Sequence, residues 1–172
     1  MKKILTLVIA MFTCFGASAQ FEKGKKFIGA SVSGFDLSYP KAKDFTADLD
    51  FNAGYFVSND LLLKGGIGYG YEDERHQIKL GLTARYYFEN NGIFVGTGTE
   101  GSWRNKVGWR HHGQFLLKVP VEVGYAYFIN RHVTLEPSVY YNVCLNGFRD
   151  YSGGGIKIGF GVYFWLFKLT RF

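Results

Sequence analysis

The run GTGTEG, Gly96 to Gly101, spells G-x-G-x-x-G. That spacing serves dinucleotide binding where the glycines join a strand to a helix whose N-terminus receives a pyrophosphate. Here SWRNKVGWRHHG follows, with no helical period, so a nucleotide site is not expected. Acyl transfer or hydrolysis needs a nucleophile and a base within hydrogen-bond reach, oriented by a third group. Ser102 or Ser152 with His76, His111 or His112, and an acid such as Asp73, supply the residue types without any local signature. The adjacent His111 and His112 lack the further ligands and spacing of a metal centre, so neither metal nor cofactor is expected. Trp103, Arg104, Lys106, Trp109 and Arg110, in WRNKVGWRHHG, combine cations with aromatic rings. This is chemistry suited to the phosphates or sugars of an anionic glycolipid, or simply to neutralising an anionic surface.

The elements that position these groups alternate with period two. FTADLDFNAGYF puts Phe45, Ala47, Leu49, Phe51, Ala53 and Tyr55 on one face, with Thr46, Asp48, Asp50 and Asn52 on the other. Eight such segments are expected at about 26–39, 44–57, 61–72, 76–88, 93–103, 114–129, 133–145 and 155–167. Each reaches the roughly 9–11 residues of a tilted membrane strand. The connectors SND, ENNG and NRH are tight, while EDER, RNKVGWRHHG and NGFRDYSGG are longer or more charged. Short turns at one end and longer loops at the other are the asymmetry of an outer-membrane barrel, and an even strand number puts both termini at the short, periplasmic end.

Composition separates a lipid-exposed barrel from a soluble sandwich. The chain has 17 Phe, 12 Tyr and 23 Gly, with a formal net charge of +6. The start, MKKILTLVIAMFTCFGASAQ, has a basic end, a short apolar run and Ala17-Ser18-Ala19 before Gln20, so residues 1–19 are expected to be a cleaved secretory signal and 20–172 the barrel domain. Cleavage leaves Cys144 as the one thiol, so no internal disulfide is expected. The phase carrying Ile78, Leu80, Leu82, Ala84, Tyr86 and Phe88 is aliphatic in the middle and aromatic toward the ends. Lipid gives rings a reason to gather at the headgroup level; a soluble core gives none.

The opposite phase holds Asp48, Asp50, Lys64, Lys79, Arg85, Glu100, Lys118, Glu122, Glu136 and Lys157, five acids and five bases. In an eight-stranded lumen, wide enough only for side chains, these ten are expected to pair. Inward glycines leave room for Tyr87, Tyr140, Tyr163 and Trp165. Pro120 and Pro137 fall inside strands and are expected to mark bulges, as is the phase change near Gly34.

The cleaved signal, the eight alternating segments, KVPVEVGYAYFINRHVTLEPSVYYNV and the terminal Phe172 together resemble the OmpA/OmpX-type outer membrane protein β-barrel domain over about residues 26–172. The resemblance implies an all-β, eight-stranded antiparallel up-and-down transmembrane β-barrel in a Gram-negative outer membrane. It implies outer-membrane lipid and lipopolysaccharide as surroundings, with Phe172 read by the barrel-assembly machinery and no nucleic-acid partner. No peptidoglycan-binding domain is expected beyond the barrel. The family includes envelope-stabilising and adhesive members, so a non-enzymatic role is expected. A small pore or ligand-binding barrel, and a lipid A-modifying enzyme, stand as alternatives.

Overall fold

A computed structural model describes residues 21–36, 46–72, 75–88, 91–106, 114–146 and 152–165. The expected signal, Asp73, Trp109, Arg110, His111, His112 and Phe172 lie outside them. Eight strands run as β1 (Lys26–Asp36), β2 (Thr46–Ser58), β3 (Leu61–Glu72), β4 (Arg75–Tyr87), β5 (Ile93–Lys106), β6 (Gln114–Tyr125), β7 (Val133–Cys144) and β8 (Gly153–Phe164). A two-residue piece, Tyr127–Phe128, continues β6 beyond Ala126 and keeps its register on β7. Every strand is antiparallel to its sequence neighbours, and β1 closes the ring against β8. Closure leaves no edge of unpaired backbone, which is the condition for a sheet to stand in hydrocarbon.

The pleat sorts the side chains as the alternation requires. Leu49, Phe51 and Tyr55 are exposed on the outer wall, while Lys64, Arg85, Glu122 and Glu136 are buried in the interior. Among the described large apolar residues Leu82 is the most exposed, at 70%. An outer wall of exposed Ile, Leu, Val and Phe around a charged interior inverts a soluble protein and makes this a transmembrane β-barrel.

The turns joining β2 to β3, β4 to β5 and β6 to β7 lie at one end, held by local polar groups. Asn130 Oδ1 accepts from the N–H groups of His132 (2.8 Å) and Val133 (2.9 Å), and Asn91 Oδ1 accepts from that of Ile93 (2.9 Å). Asp60 completes the β2–β3 turn with φ of 64°, a left-handed conformation that Asp tolerates.

One expectation about the strands holds and another does not. The register does shift around Gly34, between Ser33 and Phe35, and again between Phe56 and Ser58. The prolines, by contrast, do not bulge. Thr97 pairs with Val121 and Glu100 with Lys118 in one unbroken register, yet no bridge forms between them where Pro120 faces Gly98. Ala126 donates to the Gly92 carbonyl (2.7 Å), so even-numbered β6 residues face β5 for hydrogen bonding. Pro120 is one of these and has no N–H, so the Gly98 carbonyl loses its ladder donor. Pro137 does the same on the other flank of β6. Leu145 donates to Leu117 (2.8 Å), which sets odd-numbered β7 residues toward β6, and pairing lapses where Pro137 opposes Tyr125. A bulge would have thrown all later side chains to the wrong face, whereas a missing bond costs only itself.

Candidate functional site

The lumen is the site, and it is layered along the barrel axis. In the middle, Arg85 on β4 donates from Nε to Glu122 (3.0 Å) on β6 and from Nη1 to Glu136 (2.5 Å) on β7. Lys64 on β3 reaches the same Glu122 oxygen at 2.9 Å. The Arg85 guanidinium also lies 3.8 Å from the centroid of the Phe94 ring. Glu136 Oε1 accepts from the hydroxyls of Tyr163 (2.7 Å) and Thr134 (2.8 Å), and the hydroxyls of Tyr163 and Tyr87 are 2.9 Å apart. Two bases and two acids from four strands thus sit in a buried, mutually paired layer. Such charges are tolerable in low dielectric only when each is paired and hydrogen-bonded.

Toward the loop end the packing opens. Lys79 pairs with Asp48 at 2.7 Å, and Lys157 with Asp50 more loosely at 3.8 Å. The carboxylates of Asp48 and Asp50 lie where side chains at Gly70 and Gly68 would stand, so those glycines leave space for charge. A cavity of about 60 Å³ is lined by these groups with Glu100, Asn52 and Asn142. Glu100 and Lys118 face each other across the β5–β6 register. Among the described residues they close no ion pair, and Glu100 Oε1 is buried without a hydrogen-bond partner.

At the turn end the layer gives way to rings. Phe21, Phe27, Phe56, Tyr87, Phe94 and Tyr163 form a buried cluster with Leu62 and Ala126. Phe27, Phe56, Tyr87, Phe94 and Tyr163 stand on the inward phase near one strand end, a signal present in the sequence. Phe21 precedes β1, and period-two patterning carries no information about it. Trp165, expected inside, sits instead on the rim at 50% exposure, its ring against Gly24. Two rim groups titrate away from their usual values. Burial raises the Asp60 carboxyl, whose Oδ1 has no hydrogen-bond partner. Burial also lowers the Lys25 ammonium, against the opposing pull of Glu22.

The remaining candidates separate. GTGTEG lies within β5, which runs on as strand to Lys106, so no helix receives a phosphate there. Ser102 is buried on the inner wall and makes no hydrogen bond, while His76 is exposed on the outer wall, where its Nδ1 meets the Tyr69 hydroxyl. The wall itself divides that serine from that histidine. Ser152 Oγ is occupied as the acceptor for the Cys144 N–H at 2.9 Å. Trp103, Arg104 and Lys106 belong to β5, which runs three residues beyond its expected end at 103, so Arg104 and Lys106 are strand rather than loop. Trp103 faces out, its ring 4.9 Å from that of Phe115. Arg104 donates from Nε to Gln77 Oε1 at 3.1 Å and stays partly exposed.

No protein-family model matches the sequence, and neither does any curated protein sequence. Solved structures do match in fold. The N-terminal β-barrel domain of Pseudomonas aeruginosa OprF superposes with a TM-score of 0.67 at 18% identity, covering 83% of this chain and 98% of that one. Neisserial surface protein A gives 0.63 at 18% identity, covering 83% and 100%. The outer membrane protein OprG of Pseudomonas aeruginosa gives 0.51 at 13% identity, covering 84% and 98%. The chain therefore has the fold of the small eight-stranded outer-membrane β-barrels. At these identities the likeness is one of architecture.

Proposed function

We propose that this chain is an integral outer-membrane β-barrel that acts without catalysis, stabilising the envelope or presenting its loops, with a lumen that passes no solute. The observation that carries the reading is the Arg85–Glu122–Glu136–Lys64 layer, which ties β3, β4, β6 and β7 together across the interior. Its charges are consumed by one another. On this reading residues 1–19 are removed on export, the termini are periplasmic, and Phe172 serves the barrel-assembly machinery. Outer-membrane lipid contacts the apolar wall, and lipopolysaccharide the loop-end rim. Trp103 supplies a ring there, and Arg104 with Lys106, Trp109 and Arg110, the last two beyond the described residues, are the cations and ring this reading adds.

The cavity favours a second reading, a ligand-binding barrel, because its acids and bases are partly solvated. Planar-bilayer recording decides whether anything passes: the closed lumen predicts no steady conductance, and large, steady openings would overturn it. The membrane-fraction protein should also change gel mobility on heating. Unaltered lipid A mass profiles on overexpression would leave the enzymatic alternative without support.

A further inference from the structure

Phe21 lies outside the barrel strands, yet among the described residues its ring meets four others, as many as that of Tyr163 does. Phe21 is 1% exposed. Its ring stacks on Tyr87 of β4 at 4.0 Å and 16°. It also lies 6.1 Å from Phe56 of β2, 5.6 Å from Phe128 beyond β6 and 5.9 Å from Tyr163 of β8. One ring therefore touches all four even-numbered strands. Its backbone is held as well, since the Phe21 carbonyl accepts from Asp60 N–H at 2.8 Å. Gly24 N–H donates to Phe56 (2.9 Å), and Phe56 N–H donates to Lys25 (2.9 Å).

The chain reaches this position through one bend. Gly24 has φ of +95°, open to glycine and strained for other residues, and a Cβ there would lie 2.9 Å from the Trp165 ring. The bend therefore needs glycine twice over, for its dihedral and for the ring above it.

We propose that Phe21–Lys25 is a strap that closes the turn-end mouth of the barrel, with Phe21 as its locking ring and Gly24 as its hinge. Because its contacts come from strands on every side, the strap seats only after β1 has met β8. It seals the ring layer next to the ion pairs, the two joined through Tyr87 and Tyr163. The strap goes beyond the function proposed above: equal labelling rates would sink the strap and leave the lumen closed by its ion-pair layer, whereas an altered lipid A profile would sink the non-catalytic reading and leave the strap standing.

The test uses the full-length chain from membranes, with two thiol reporters and a small cationic methanethiosulfonate reagent. The first is Ala126→Cys, at a position 2% exposed within the turn-end cluster, in a background with Cys14 and Cys144 changed to serine. The second is native Cys144, buried at the far end of β7. Phe21→Ala should speed labelling at position 126 at least tenfold while leaving the Cys144 rate unchanged. Gly24→Ala keeps every ring but strains the hinge, and should give the same asymmetry even if Phe21→Ala does not assemble. Equal rates at position 126 with and without the strap substitutions overturn the proposal. So does parallel acceleration at both thiols, which would mean general loosening.

Discussion

Single residues carry unequal weight in this barrel. Arg85 is the hub of the lumen, since its removal leaves buried Glu136 without a cation and Glu122 with Lys64 alone. Arg85→Ala should cost about 3–5 kcal/mol, the scale of an uncompensated buried charge, read as a lowered urea midpoint in detergent micelles. Asp60 sits at the other extreme, in a turn where burial raises its carboxyl and Oδ1 lacks a partner. A raised folded-state value means that the protonated form favours folding. That contribution is fully present below the unfolded-state value of about 4 and is lost as pH rises through the folded-state value. Asp60→Asn should therefore stabilise the barrel at neutral pH, by a margin that shrinks in urea titrations run near pH 4 and below. A margin that grows on acidification would mean that the charged form is the favoured one.

At the scale of strands, the faces make a sharp prediction. Leu49 is exposed outside and Asp50 lies inside against Lys157. Leu49→Lys should impair membrane assembly far more than Asp50→Asn, because a lysine facing lipid costs up to about 2–4 kcal/mol, most at the midplane. Equal effects on folded yield would mean that the faces are reversed. Pro120→Val restores a donor opposite the Gly98 carbonyl and should stabilise by about 0.5–1.5 kcal/mol, the net worth of one hydrogen bond, measured by urea unfolding. These strands were legible because alternation reports which face each residue occupies, and Asp48 and Asp50 face inward as their phase demands. Arg104 was misplaced because charge and Gly-rich surroundings at the end of β5 look like a loop, although the strand simply continues. The prolines were misjudged for a different reason. Sequence shows that Pro120 lacks a donor, but not whether the ladder answers with a bulge or a gap. Phe21 left no pattern at all, since a residue outside a strand has no phase.

For the whole molecule, closure turns eight marginal strands into one cooperative unit. Each strand is held on two sides, and β1 meeting β8 supplies the last pairing. Residues on distant strands then share a fate through the lumen, where Lys64, Arg85, Glu122 and Glu136 link strands that are not all neighbours. This wholeness is uneven around the circumference. Pairing lapses on both flanks of β6, opposite Pro120 and at Pro137, whereas β7 and β8 pair without interruption from Val133 to Asn142. Under tension those two gaps are lines of weakness. Drawn from a bilayer by its C-terminal end, the chain should release β7 and β8 as one piece and then give up β6 ahead of β5. A force trace showing β5 and β6 leaving together would place the fracture elsewhere.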